Sequence, residues 1–176
     1  MPPSDATTRS GSTRALPMAL LSVAAVLLVA RIGFGVFERG EQQPAVSDLV
    51  QWREPGIGAE VEAVNTGKPL LYDFTAEWCG PCRLMQKELF SDPRMAAKIN
   101  TTFVPVRVLD RQREEGRNPA AVDTLQRIHR VSAFPTLVMT SPDGARRETL
   151  QGWRGALGTS EWLSVASSKV MSAGSD

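Results

Sequence analysis

From residue 70 onward the apolar positions fall into short blocks whose period changes from block to block. Leu70-Leu71-Tyr72-Asp73-Phe74 is an apolar, aromatic-containing run broken by one carboxylate, which reads as a buried strand. Behind it Leu84, Met85, Leu89 and Phe90 approach helical spacing, so a helix is expected to about Phe90. Ser91-Asp92-Pro93 supplies an N-cap and a first-turn proline and opens a further helix to about Lys98. Phe103–Leu109 is expected as a strand, with Pro105 marking an edge or an irregular start. Val122, Leu125 and Ile128 repeat at three-residue spacing and predict a helix over Ala120–His129, whereas Thr136–Thr140 reads as a strand. Ser141-Pro142-Asp143-Gly144 is a turn returning the chain into Arg147–Gln151. The last block, Gly158 to about Met171, is an amphipathic helix carrying Trp162, Leu163, Ala166 and Val170. Strands joined by helices, ending in a hairpin and a helix, predict an α/β sandwich.

Upstream of residue 70 the pattern weakens. Gly58–Asn65 is a short helical pattern closed by Gly67 and Pro69, and Ala45–Trp52 is a second one that ends at Pro55-Gly56. Before these, Ala15–Phe37 is apolar apart from Arg31. A spanning helix needs about 20 apolar residues, and an arginine near one end can snorkel to the headgroups. Arg9 and Arg14 precede the segment and predict a cytoplasmic N-terminus, with everything after Phe37 on the far side. A cleaved signal peptide, with Gly33-Phe34-Gly35 as its small-x-small site, is the competing reading; a buried core helix is the third. Both of the first two deliver the rest of the chain to the same compartment. The chain is therefore expected to divide into a disordered cytoplasmic head at 1–14, an anchor or signal segment at 15–37, a linker with a short helix at 38–57, and one folded domain at 58–172.

Composition narrows the chemistry. Of 176 residues 22% are charged, with a formal net charge of +1, which lacks the basic footprint of a nucleic-acid binder. Two cysteines cannot staple a multi-disulfide scaffold, and with one histidine they fall short of a four-ligand zinc site. Those two cysteines stand in Trp78-Cys79-Gly80-Pro81-Cys82, where the buried strand hands over to a helix. The first helical turn carries unsatisfied N–H groups and partial positive charge, so a thiol placed there has its thiolate stabilised. Pro81 suits a first turn because it lacks an N–H that would need a partner. A structural disulfide or an inert reduced pair is the plain alternative. Asp73 lies six residues before Cys79 in an otherwise apolar strand; it is either a buried carboxylate with a raised pKa or an exposed strand-end aspartate.

The block Asp73-Phe74-Thr75-Ala76-Glu77-Trp78-Cys79-Gly80-Pro81-Cys82 resembles the thioredoxin active-site stretch, and Ala133-Phe134-Pro135-Thr136 resembles the second signature of that family. The resemblance runs from about Lys68 to Val170. Gly67-Lys68-Pro69, Phe90-Ser91-Asp92-Pro93 and Phe103-Val104-Pro105-Val106 bring it nearer to extracytoplasmic relatives akin to the C-terminal domain of the transmembrane reductase DsbD than to cytosolic thioredoxin. It implies a thioredoxin fold, a central mixed sheet flanked by helices. It also implies that Cys79, exposed at the helix start, attacks a partner's disulfide, and that the more buried Cys82 then releases the reduced partner. By the same resemblance Asp73 relays a proton for Cys82, Trp78 packs beside the site with Gly80 and Pro81, and Pro135 is cis, leaving the Phe134 backbone to pair with an extended substrate. A trans proline in a loop is the alternative for Pro135, and a core aromatic for Trp78.

Two departures stand out. Counting back from Asp110 puts Val106 where thioredoxin keeps a basic residue near its buried aspartate. The stretch from Asp110 to Pro135 is longer and carries Arg111, Arg113, Glu114, Glu115 and Arg117, read as a solvated loop or a docking surface. His129 is placed on a solvated helix face. Gly-Pro between the cysteines resembles reducing thioredoxins, so the expected activity is thiol–disulfide exchange that reduces client protein disulfides in the periplasm. No cofactor is expected beyond the Cys79–Cys82 couple, and no metal. A membrane electron donor of the DsbD type would recharge it, and the 15–37 segment would hold the protein in the inner membrane as a single-pass anchor. An oxidase or isomerase of the same chemistry, and a non-catalytic or copper-handling module, are the alternatives.

Overall fold

Residues 48–172 are described by a computed structural model. The strand patterns resolve into four strands in the order β2-β1-β3-β4. Strand β1 (Leu70–Ala76) is central, parallel to β2 (Val104–Asp110) and antiparallel to β3 (Thr136–Thr140), which pairs antiparallel with β4 (Arg147–Gln151). The sheet is mixed, as the thioredoxin resemblance implies. Pro105 does sit on an edge strand, and that edge is partly covered. The Arg53 N–H donates to the Pro105 carbonyl at 2.8 Å, and the Arg107 N–H returns to the Arg53 carbonyl at 3.1 Å.

Alternation along β1 divides the core in two. Leu71 points to the layer built by Met85, Leu89, Phe90, Ile99 and Leu163, whereas Leu70, Tyr72 and Phe74 point to Ala59, Ala63, Val106, Val108, Val122 and Leu125. The first layer holds α2 (Gly80–Met85), its continuation as a π-helical turn (Gln86–Phe90), α3 (Pro93–Thr102) and α6 (Gly155–Met171); the second holds α1 (Ile57–Thr66) and α5 (Ala120–His129). Phe74 and Phe90 are fully buried, one on each side, and each contributes about 1.5–3 kcal/mol by burial. Asp92 caps α3, accepting from the Met95 N–H at 2.8 Å, with Pro93 in the first turn. Gly67 closes α1 at φ 65°, a left-handed conformation that a side chain would strain.

Three expectations change. Over its described part, 48–52, the predicted short helix at 45–52 is absent, because the chain there runs out to the bridge at Arg53. The expected loop after Asp110 contains a helical turn, α4 (Gln112–Glu115), and Ile128, counted toward the core by its spacing, is 58% exposed. The predicted anchor at 15–37 and head at 1–14 lie outside the described residues. Among the described residues no helix is long and apolar enough to cross a membrane.

Candidate active site

The strand-to-helix handover places Cys79 at the N-cap of α2, and its Sγ accepts from the Cys82 N–H at 3.2 Å. Cys79 and Cys82 are joined in a disulfide, with Pro81 in the first turn between them. Both cysteines are buried, 3% and 5% exposed, which corrects the expectation of an exposed Cys79 beside a more buried Cys82. The cover comes from Phe134, which packs on Ala76, Cys79 and Cys82. Pro81 is exposed and Gly80 half-buried, so the pair is approached across that turn. The Phe134–Pro135 peptide is cis, and Pro135 is buried with its carbonyl accepting from the Gly152 N–H at 2.8 Å. The Phe134 main chain makes no hydrogen bond among the described residues. Trp78 is 44% exposed and meets Phe134 edge to face at 6.0 Å. The two signatures, about fifty residues apart in sequence, therefore form one surface.

Asp73 is buried within β1, with its side chain on the face opposite Tyr72 and Phe74. It lines a cavity of about 300 Å³ together with Cys82, Gln86 and Arg107, which puts the carboxyl and Cys82 on one cavity. Burial pushes the Asp73 carboxyl up to about 6, against the opposing pull of Arg107. Arg107 approaches with Nε 3.4 Å from Oδ2, an ion-pair contact that falls short of hydrogen-bond geometry. So the site does hold a basic residue beside its buried aspartate, one position beyond Val106. The count back from Asp110 missed it because β2 alternates: Val106 and Val108 enter the core, and Arg107 turns to the Asp73 side.

The loop after β2 is built rather than loose. Asp110 is buried and accepts from Asn118 Nδ2 and Gln126 Nε2, both at 2.8 Å, and from the Gln112 N–H at 3.2 Å. Fixed in this way, the loop lays Arg113 over the Trp78 ring at 5.5 Å and brings Arg111 to 3.7 Å from Glu77. Neither contact is visible in the sequence. His129 is half-buried rather than solvated, tilted against Tyr72 at 4.9 Å and edge to face with Phe74 at 5.7 Å; burial pulls its pKa down to about 4. Among the described residues no group of three or more His, Cys, Asp or Glu converges to hold a metal ion.

The thioredoxin-like domain family matches residues 58–165, more than half of the chain. The chain belongs to that family. A thiol:disulfide interchange protein DsbD of Yersinia pestis is 29% identical over 129 residues, covering 71% of this chain and 20% of its own length. The chain thus spans about a fifth of the curated relatives it matches in this way. Among solved structures, a DsbH oxidoreductase superposes with a TM-score of 0.56 at 20% identity, covering 73% of this chain and 92% of that one. A thioredoxin from Thermus thermophilus superposes with a TM-score of 0.53 at 25% identity, covering 66% and 87%. Within that family's fold the chain holds a C-x-x-C disulfide capped at a helix start, with Phe134 of the cis Phe134–Pro135 peptide packed on it.

Proposed function

We propose that this chain reduces disulfides of proteins outside the cytoplasmic membrane by dithiol exchange through Cys79 and Cys82. The observation that carries this reading is the capped disulfide itself: Cys79 Sγ is held at the start of α2 by an N–H that favours its thiolate. In the reduced protein the Cys79 thiolate attacks one sulfur of a client disulfide; a mixed disulfide forms and the other client sulfur leaves as a thiolate. Cys82 gives up its proton, for which Asp73 is the nearby acceptor across the shared cavity, and attacks Cys79 Sγ. The client leaves with both sulfurs reduced, and two electrons have moved from the Cys79–Cys82 pair to it. The free Phe134 main chain, beside Trp78 and the cysteine pair, suits pairing with an extended client segment.

Gly80-Pro81 supports the reducing direction, as in thioredoxins poised at about −270 mV. A reductant in an oxidising compartment must be recharged, so the reading includes a membrane electron donor of the kind the DsbD relatives suggest. The apolar segment 15–37 supports a single-pass inner-membrane anchor with the folded domain in the periplasm. Equilibration with glutathione buffers tests the direction: a couple more reducing than the glutathione pool is expected, and a couple well above it, on the oxidising side, removes the reductase reading. Retention of full disulfide-reducing activity by Cys79→Ser would remove the catalytic reading itself.

A further inference from the structure

Arg107 faces Asp73 across the β1–β2 register, yet it does not close on the carboxylate. A guanidinium beside a buried carboxylate ordinarily pairs with it through two parallel N–H bonds. Here only the Nε edge is turned to Asp73, and neither Nε nor Asp73 Oδ1 has a hydrogen-bond partner among the described residues. Both terminal nitrogens donate elsewhere. Nη2 donates to Gln86 Oε1 at 2.6 Å, and Nη1 donates to Asp48 Oδ2. The flat face of the group lies over the Trp52 ring, 4.2 Å from its centroid. Trp52 in turn is fixed edge to face on Phe90 at 4.9 Å, and its indole N–H donates to Asp48 Oδ1 at 2.8 Å. Asp48 and Trp52 belong to the extended segment that precedes the first helix, outside the span matched by the family.

We propose that Asp48 and Trp52 are positioning residues for the redox site: they hold Arg107 turned away from Asp73, so that the carboxyl beside Cys82 keeps and exchanges a proton. The proposal rests on the reading of Asp73 as the proton acceptor for Cys82. Released from its clamp, Arg107 would fold onto Asp73, pair with it through two parallel N–H bonds and keep it ionised. The charged and titratable groups that face Asp73 are Arg107 from β2, Asp48 from the N-terminal segment, and Glu77, Cys82 and Arg83 around the shared cavity; Gln86 is neutral. Among them Arg107 favours the carboxylate and Asp48 opposes it. Removal of the Asp48 charge therefore acts twice in one direction, by deleting a repulsion and by freeing Arg107. Removal of Arg107 acts the opposite way.

The test is a carbon-13 NMR titration of the Asp73 carboxyl in the oxidised 176-residue chain, its resonance assigned by its loss in Asp73→Asn. The midpoint is expected to fall in Asp48→Asn and to rise in Arg107→Gln, each by about half a pH unit or more. Trp52→Phe, which keeps a ring under the guanidinium but loses the N–H to Asp48, should move the midpoint in the Asp48→Asn direction. An unchanged or raised midpoint in a natively folded Asp48→Asn overturns the proposal; should that variant fail to fold, the same criterion applies to Trp52→Phe. Because the titration uses no client, it fails or succeeds independently of the Cys79→Ser activity test.

Discussion

The Cys82 N–H donates to Cys79 Sγ at 3.2 Å, so the Cys79 sulfur is capped by the backbone of the residue to which it is bonded. The bond is one-sided, since it favours negative charge on residue 79. Reduced Cys82→Ala is therefore expected to trap a mixed disulfide with a client through Cys79, visible as a shifted band on non-reducing electrophoresis. Cys79→Ala should form such an adduct roughly a hundredfold more slowly. Equal trapping by both variants would reverse the assignment of nucleophile.

Asp73 and His129 make opposite demands on pH. Asp73 binds its proton more tightly folded than unfolded, since its pKa stands at about 6 against an ordinary value near 4. Its contribution to stability is therefore complete below about pH 4 and is lost as pH rises through 6, a change of roughly 2–3 kcal/mol. His129 is held neutral by burial, with its pKa at about 4, so it adds stability as pH rises from about 4 to 6.5. In the wild type the two trends offset each other over the same window. Asp73→Asn should be more stable than wild type at pH 7 and should gain stability steadily between pH 4 and 6.5. Denaturant unfolding across pH checks this, and an Asp73→Asn curve parallel to wild type would mean that the carboxyl is not desolvated.

Much of this architecture could be read from periodicity, because each layer is written into one strand. Leu71 on one side of β1 and Tyr72 with Phe74 on the other announce two helical layers, and Thr136–Thr140 and Arg147–Gln151 form as expected. The cysteine motif stood out at its strand-to-helix handover and Phe134-Pro135 through the thioredoxin resemblance, and the fold packs Phe134 onto both cysteines. What escaped was register. Whether Val106 or Arg107 meets Asp73 depends on how β1 and β2 align and on strand parity, and neither is a property of either segment alone. Spacing likewise assigned Ile128 to the core and His129 to solvent, whereas packing against Tyr72 and Phe74 shelters His129 and leaves Ile128 outside.

The Asp92 cap gives a stability effect separate from the chemistry. Its carboxylate satisfies the Met95 N–H at the start of α3, and Pro93 already lacks a donor there. Asp92→Ala is expected to cost about 1 kcal/mol and to lower Tm by about 3–6 °C, with the Cys79–Cys82 potential unchanged. A shifted potential would show that α3 reaches the redox pair energetically.

Arg113 lies 5.5 Å from the Trp78 ring and is carried there by a loop locked through the buried Asp110. Trp78 is 44% exposed, and on the proposed function a protein client docked on the disulfide is expected to cover it, whereas a small disulfide is expected not to. A cation over an exposed ring is worth about 0.5–1 kcal/mol. Without Arg113 the indole gains freedom that binding must remove, and that cost falls on client association rather than on sulfur exchange. Arg113→Ala should therefore raise KM for a protein disulfide about two- to fivefold with kcat unchanged, and leave the rate with a small aromatic disulfide as it was. Arg113→Lys, which keeps the cation but not the flat stacking surface, should fall between the two. If protein and small-molecule substrates slow equally, Arg113 acts on the thiolate itself and the stacking account fails.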